Sequence, residues 1–216
     1  MSDASIHART SSSQRLGAVL VGAGAIQFIV AMGVVQAGYP GYSLLTNYIS
    51  DLGNTALSPW HDVFNVSIIV LGVLAFVGIL LLWTAFPRSG VRPVGLLLLL
   101  VASVAAILVG IFPENVNPPV HDFVSLMVFL PGGLALALLS VGMRPSTWWT
   151  SLRWPSLGLG LITLVSLAYY APTQTNNTTF DPGLIERLIV FPILIWALAV
   201  FVLVLRRPAH PRLAIS

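Results

Sequence analysis

Six apolar stretches, each close to the length that crosses a lipid bilayer, restrict the fold of this chain more than any other feature. They cover residues 16–37, 63–86, 93–112, 120–143, 155–171 and 183–205. A helix needs about 20 apolar residues to cross the hydrocarbon core, where only helices or closed barrels satisfy their backbone hydrogen bonds. The sequence therefore predicts an all-α polytopic membrane protein whose six transmembrane helices form three helical hairpins.

The composition supports this class and excludes others. Only 8% of the residues are charged and 56% are hydrophobic, whereas about a quarter of the residues in a soluble domain are charged. The net charge of +3 does not indicate nucleic-acid binding, because the chain has no lysine and its arginines lie mainly in loops and tails. The absence of cysteine excludes disulfide bonds, thiolate metal ligands and thiol nucleophiles.

The distribution of arginine predicts how the chain is oriented. With six spans both termini lie on one side of the membrane, and all but one of the ten basic residues fall on that side. They are Arg9, Arg15, Arg88, Arg92, Arg144, Arg153, Arg206, Arg207 and Arg212. The positive-inside rule then predicts cytoplasmic termini. The expected organisation is a disordered tail over residues 1–14, a membrane domain over 15–207 and a second tail over 208–216.

The longest polar interruption, residues 39–62, separates the first two apolar stretches. Its apolar side chains recur at helical spacing: Leu44, Leu45, Tyr48, Ile49 and Leu52. Ser43 is a suitable N-cap for such a helix, and Gly53 a suitable C-cap. The pattern predicts a short amphipathic helix at the outer face, between the first two membrane helices.

Most of the acids and two of the histidines are predicted to gather at the same outer face. His61 and Asn65 are four residues apart on the second helix, and His121 and Ser125 are four apart on the fourth, so each pair shares a helix face. The candidate catalytic residues are Ser50, Asp51, His61 and His121. The candidate ligand-binding residues are Asn47, Asn65, Asp122, Ser125, Glu186 and Arg187.

Three kinds of chemistry remain open for these side chains. A divalent metal site would use His61, His121 and Asp122, because zinc accepts histidine and carboxylate ligands. Neither HxxxH nor HExxH spacing occurs, and adjacent His and Asp residues point about 100° apart on a helix. In a hydrolase, Ser50 would be the nucleophile and a histidine its base. Arg187 would either bind an anionic head group or pair with a nearby acid.

Four separate segments resemble one known family. They are NYISDLG over residues 47–53, Phe64-Asn65, GIFP over residues 110–113, and His121. With them, the chain resembles, over residues 16–205, the prokaryotic six-helix membrane proteins called domain of unknown function 998. The resemblance implies a six-span bundle in the plasma membrane. It implies no activity, because the family is defined by lacking an established one.

The sequence favours three functions. The first is an outer-leaflet polar pocket that binds a lipid or small amphiphile, for sensing or transport. The second is an intramembrane lipid hydrolase or transferase that uses His61 and His121 with nearby carboxylates. The third is a membrane scaffold or partner subunit without chemistry of its own. Membrane lipids are the expected partners in all three, and nucleic acid in none.

Overall fold

Six long helices make up almost the whole of the structure, which is a computed structural model that describes residues 10–144, 147–175 and 180–208. They are α1 (Ser12–Gly38), α2 (His61–Leu82), α3 (Arg92–Ile111), α4 (Pro118–Gly142), α5 (Thr150–Thr175) and α6 (Pro182–Leu205). Each is long and apolar enough to cross a membrane. The prediction of an all-α fold with six membrane-length helices is therefore confirmed.

The helices form a closed ring. Each packs on its neighbours in the sequence, α6 returns to α1, and α4 also touches α6. Because consecutive helices run in opposite directions, the connections after α1, α3 and α5 lie at one end of the bundle. We call this end the mouth, and the end with both termini the terminal end. Every loop that carries a candidate site residue therefore lies at the mouth.

Small residues let neighbouring helices approach closely. A Cβ atom on Gly17 of α1 would lie 2.7 Å from the carbonyl oxygen of Gly78 on α2. A Cβ atom on Gly160 of α5 would lie 2.8 Å from the carbonyl oxygen of Gly133 on α4. Because lipid is as apolar as a helix surface, such van der Waals contact between backbones is a main source of helix association in membranes.

The first helix starts earlier than the sequence predicts. Ser11 is its N-cap and forms a capping box with Gln14, so the chain is helical from Ser12 within the predicted tail 1–14. The backbone N–H of Thr10 also donates to the carbonyl of Pro208 at 3.0 Å, which places the two ends of the described chain side by side. The rest of the predicted tails, residues 1–9 and 209–216, lies outside the described residues.

The segment between α1 and α2, residues 39–60, we call the mouth loop. Ser43 caps only one turn, in which the N–H of Asn47 donates to the Ser43 carbonyl at 2.9 Å. The predicted amphipathic helix is otherwise reduced to a single 3-10 turn, Ser50–Gly53. Ile49 and Leu52 are 3% and 0% exposed, so the loop is drawn into the bundle and does not lie flat on its surface.

Candidate functional site

The first residues of α6 hold the mouth loop in place. The Glu186 carboxylate accepts a short hydrogen bond from the backbone N–H of Ile49. The Arg187 guanidinium donates to the carbonyl oxygen of Asn47 at 3.2 Å and to the hydroxyl oxygen of Tyr42 at 2.8 Å. These two neighbouring ionisable side chains therefore use part of their hydrogen-bonding capacity to fasten a segment about 140 residues earlier in the chain.

The mouth loop has no regular helix to pair its backbone N–H groups, and the side chains of Asn47 and Asp51 accept hydrogen bonds from two of them. The Asn47 side chain accepts from the Ser43 N–H at 3.0 Å and donates to Asp51 Oδ2 at 2.9 Å. The same Asp51 oxygen accepts from the Tyr48 N–H at 2.9 Å. Burial raises the pKa of Asp51, and the neighbouring Glu114 carboxylate raises the pKa further. The charged form of Asp51 is therefore disfavoured in the folded loop, because the side chain is partly buried and lies near Glu114.

We expect the thermal stability of the purified protein to depend on pH through Asp51. Because the pKa of this acid in the folded state lies above its ordinary value of 3.8, its stabilising contribution is full below that value. The contribution is lost as the pH rises through the folded pKa. The melting temperature should therefore rise as the pH falls from about 7 towards 4, and the rise should be smaller in Asp51→Asn. Equal slopes in both proteins would contradict this assignment.

A second set of contacts joins the loop to α2 and to the α3–α4 connection. The buried Asn65 amide of α2 donates to the carbonyl oxygen of Gly53 at 3.0 Å. Asn54 donates to Glu114 Oε1 at 2.9 Å. Gly53 has no room for a side chain, because an added Cβ would overlap the Asn65 amide oxygen. The loop is thereby fixed at both of its sides.

Removing the Asn65 amide should loosen the loop at α2. Asn65→Ala leaves the Gly53 carbonyl without its donor in a buried position, and we expect a loss of about 1–3 kcal/mol in the free energy of unfolding. The matched control is Asn115→Ala, which removes two exposed hydrogen bonds: Asn115 Nδ2 donates to Thr55 Oγ1 at 2.8 Å, and the Thr55 N–H donates to Asn115 Oδ1 at 3.0 Å. Chemical denaturation in detergent compares the two variants. An equal effect of both would show that the buried bond is not a special anchor.

His121 is fixed by the end of α3. Its Nδ1 atom lies 2.9 Å from the carbonyl oxygen of Phe112. Because a carbonyl oxygen only accepts, Nδ1 carries the proton of this bond, and the neutral ring then presents a lone pair on Nε2. The four segments that carry the family resemblance therefore meet at the mouth: the loop is fastened to Asn65, and the GIFP carbonyl orients His121.

A polar cavity of about 230 Å³ lies beneath the mouth loop, and we call it the vestibule. Five of the predicted site residues line it: Ser50, His121, Asp122, Ser125 and Glu186. His121 and Glu186 are each only 7% exposed, so their side chains belong to the interior of the bundle. Side chains that lie 136 residues apart in the sequence thus line one space.

Two apolar cavities continue from the vestibule into the bundle. The first, of about 90 Å³, shares Ser50, His121 and Glu186 with the vestibule and is otherwise lined mainly by apolar side chains. The second, also of about 90 Å³, adjoins the first at Val128 and reaches Phe86 near the terminal end. We call them the upper and lower chambers. A polar cavity at the mouth thus shares lining residues with one apolar cavity, which shares lining residues with a second one nearer the terminal end.

The structure separates His61 from this site. His61 Nδ1 lies 2.9 Å from the carbonyl oxygen of Ser58, and Nε2 lies 3.4 Å from Asp62, whose side chain is exposed. His61 does not line the vestibule, so the predicted meeting of two imidazoles does not occur. Over residues 10–144, 147–175 and 180–208, no group of three His, Asp or Glu side chains is placed to hold a metal. The predicted ligand set of His61, His121 and Asp122 is not assembled.

Four further predicted residues hold the loop and do not line the vestibule: Asn47, Asp51, Asn65 and Arg187. Conversely, Tyr48 and Tyr170 line the vestibule, although neither was a predicted ligand-binding residue. Glu114, one of the acids expected at the outer face, lines it as well. The rings of Tyr48 and Tyr170 lie 6.0 Å apart at 83°. Tyr170 lies at the end of an apolar stretch, where an aromatic residue is typical of the membrane–water interface. Only the fold shows that Tyr170 lines a cavity.

Six membrane-length helices in a ring, with a polar cavity at one end, define a multi-pass integral membrane protein. The chain belongs to the family described as protein of unknown function (DUF998), whose model matches residues 12–203. This match confirms the resemblance seen in the four sequence segments. No curated protein and no solved structure matches the chain.

Proposed function

We propose that the protein binds a membrane lipid or a small single-chain amphiphile. The polar group occupies the vestibule, and the apolar chain extends through the upper and lower chambers. The observation that carries this proposal is the order of the three cavities, polar at the mouth and apolar towards the terminal end. This order matches the division of an amphiphile into head and tail.

For an amphiphile taken up from water, burial of the tail would supply most of the binding free energy. Each buried CH₂ group contributes about 0.8 kcal/mol relative to water. A tail taken from the bilayer loses much of that gain, because lipid is already apolar. Selectivity must then come from the head group, which is how ligand sites generally work: few polar groups fix the orientation in a largely apolar pocket. Ser50, His121 and Glu186 stand at the junction of vestibule and upper chamber and supply these groups.

Filling the chambers tests the proposal. Val128 lies between the upper and lower chambers, so Val128→Trp should reduce the amount of lipid that travels with the protein in native mass spectrometry by about tenfold. The matched control is Val165→Trp, since Val165 is 67% exposed on the outside of α5. Unchanged lipid occupancy in a folded Val128→Trp protein would contradict binding inside the bundle and would favour a scaffold.

The arginine distribution supports a plasma-membrane protein with cytoplasmic termini and an outward-facing mouth. All the described arginines except Arg187 lie at the terminal end, as the positive-inside rule requires. The cysteine-free chain allows a direct test with a membrane-impermeant maleimide. Ala56→Cys, exposed in the mouth loop, should be labelled in intact cells. Gly90→Cys, in the open connection after α2, should be labelled only after lysis. The reverse pattern would invert the proposed orientation.

A lipid hydrolase or transferase is the second candidate, and the position of His121 favours it. Ser50 and His121 line the same two cavities, and His121 has its Nδ1 proton engaged with Phe112, as a general base requires. This function predicts release of a head group or acyl chain from lipids incubated with the protein. Loss of that product in both Ser50→Ala and His121→Ala would establish it, and intact lipids with the wild-type protein would exclude it.

A further inference from the structure

The vestibule gathers negative charge without a matching cation. Glu114, Asp122 and Glu186 line it. Among the residues that the structure describes, no arginine nitrogen lies within ion-pair distance of a carboxylate, and the one pair found joins His61 to Asp62. Arg187 directs its guanidinium to Tyr42 and to loop carbonyls. Of the three acids only Glu186 is buried, and none of the three has a cationic partner among the described residues.

Two buried side chains present unpartnered acceptor atoms to this space. Glu186 receives the Ile49 N–H on Oε2, and its Oε1 has no hydrogen-bond partner among the described residues. His121 uses Nδ1 for the Phe112 carbonyl, and its Nε2 likewise has no partner in the described part of the chain. Both residues are more than nine-tenths buried and line the vestibule. These acceptors therefore face the cavity and are available to a donor bound there.

Two aromatic rings complete the lining. Tyr48 from the mouth loop and Tyr170 from α5 meet nearly at right angles, with their centroids 6.0 Å apart. Aromatic faces attract cations through the ring quadrupole, and aromatic corners are a common way to recognise amines and quaternary ammonium groups. Carboxylates alone would also suit a metal ion. Among the described residues, however, no group of three His, Asp or Glu side chains is placed to hold one.

We propose that the vestibule recognises a positively charged nitrogen, either an amine or a quaternary ammonium, as the head group of the bound amphiphile. The proposal rests on the proposed function, since the chambers hold the tail. Asp122 and Glu114 supply the opposite charge, the free oxygen of Glu186 supplies a hydrogen-bond acceptor, and Tyr48 and Tyr170 supply the ring faces. An anionic head group is disfavoured, because the sole arginine of the mouth is engaged elsewhere.

Four probes with the same dodecyl chain test the head-group preference: dodecylamine, dodecyltrimethylammonium, dodecanol and dodecyl sulfate. Native mass spectrometry of the protein in an uncharged detergent measures the occupancy of each. We expect the two cationic probes to exceed dodecanol and dodecyl sulfate by about tenfold or more. Dodecylamine donates hydrogen bonds and dodecyltrimethylammonium does not, so the stronger of the two shows whether the acceptors or the rings dominate.

Charge-neutral variants locate the preference. Asp122→Asn and Glu114→Gln should each reduce the cationic advantage by about tenfold. The exposed Asp122 side chain can change without disturbing the core, and glutamine at position 114 can still accept the hydrogen bond from Asn54. Asp62→Asn is the matched control, because Asp62 holds the corresponding place after a histidine on α2 but lies outside the vestibule. Equal occupancy by dodecanol and the cationic probes would overturn the proposal, as would equal effects of the Asp62 and Asp122 variants.

Val128→Trp distinguishes an error in the cationic head group from an error in the proposed amphiphile site. If it lowers the occupancy of all four probes while no charge preference exists, the amphiphile site stands and the cationic head group is wrong. If it changes the occupancy of none, the probes bind elsewhere and the proposed function itself is wrong. The inference is supported when the Val128 variant loses every probe and the Asp122 and Glu114 variants lose only the cationic ones.

Discussion

Arg187→Ala is expected to lower the free energy of unfolding by about 3 kcal/mol or more, since hydrogen bonds to charged groups contribute about 1.5–3 kcal/mol each. The guanidinium donates to the carbonyl oxygens of Asn47 and Gly183 at 3.2 Å and 2.8 Å, and to the Tyr42 hydroxyl at 2.8 Å. It also lies 5.7 Å from the centre of the Tyr42 ring. All these partners lose their donor at once, so the loop should detach from α6.

Arg187→Lys should recover less than half of this loss. An ammonium is a single point of positive charge and cannot direct separate N–H groups to three partners as the planar guanidinium does. Arg153→Ala is the control, because Arg153 contacts the exposed Trp154 ring at 5.0 Å and holds no loop. Unfolding in denaturant, followed by tryptophan fluorescence, measures all three variants. If the alanine variants at 153 and 187 match, the anchoring role of Arg187 is refuted.

Gly183→Val should displace the mouth loop by steric overlap. A Cβ atom at Gly183 would overlap the carbonyl oxygen of Asn47 and would lie 2.9 Å from the carbonyl oxygen of Leu44. These are backbone atoms, so the loop itself must move. The vestibule loses Tyr48 and Ser50 when the loop lifts, and we expect retained lipid to fall by about tenfold or more, which corresponds to about 1.4 kcal/mol of binding free energy.

Gly158→Val is the control for this prediction. It introduces the same side chain into a helix, at a position where an added Cβ meets nothing within 4 Å. It therefore carries the helix-propensity change of a glycine substitution without the overlap. Native mass spectrometry compares retained lipid in the two variants, and protease cleavage within the mouth loop reports its release. A protected loop in Gly183→Val would mean that α6 moves instead and that the loop is held by α2.

The sequence predicted the membrane helices because their apolar length is a property of each segment alone. The predicted span 183–205 differs from Pro182–Leu205 by one residue at its start. The largest discrepancy is α5, predicted over 155–171 and observed over Thr150–Thr175. There, Pro155 and Pro172 delimit the apolar run, whereas both are accommodated within the helix. Proline is thus a poor marker of helix ends in this chain.

The mouth loop could not be predicted from its own periodicity, because distant residues determine its shape. Leu44, Leu45, Tyr48, Ile49 and Leu52 fit a helical stripe, yet Leu44 and Leu45 are about half exposed while Ile49 and Leu52 are buried. Helix formation there competes with hydrogen bonds to Glu186 and Arg187, which lie 137 and 140 residues away from their partners in the sequence and are invisible to a local periodicity. Tertiary contacts override a short helix easily, since a helix of this length is marginal by itself.

The histidines show a similar limit. The sequence places His61 and His121 at the starts of two even-numbered helices, each four residues before a second polar side chain, and predicts that both histidines contribute to one site. The preceding connections differ: residues 39–60 fold inward before α2, whereas residues 112–117 turn tightly before α4. His61 therefore contacts Ser58 of its own loop, and His121 contacts Phe112 beside the cavity. The two His-Asp pairs therefore lie in different environments, because the connections before α2 and α4 fold differently.

The mouth loop has a consequence for how the protein is made. It follows the first helix, yet its fastening residues Glu186 and Arg187 belong to the last one. The ribosome synthesises α6 after the other five helices. While those five helices enter the bilayer, the mouth loop therefore lacks its hydrogen bonds to Glu186 and Arg187. Ring closure, burial of Ile49 and completion of the vestibule must then wait for α6. A chain truncated after α5 would enter the membrane with its vestibule incomplete.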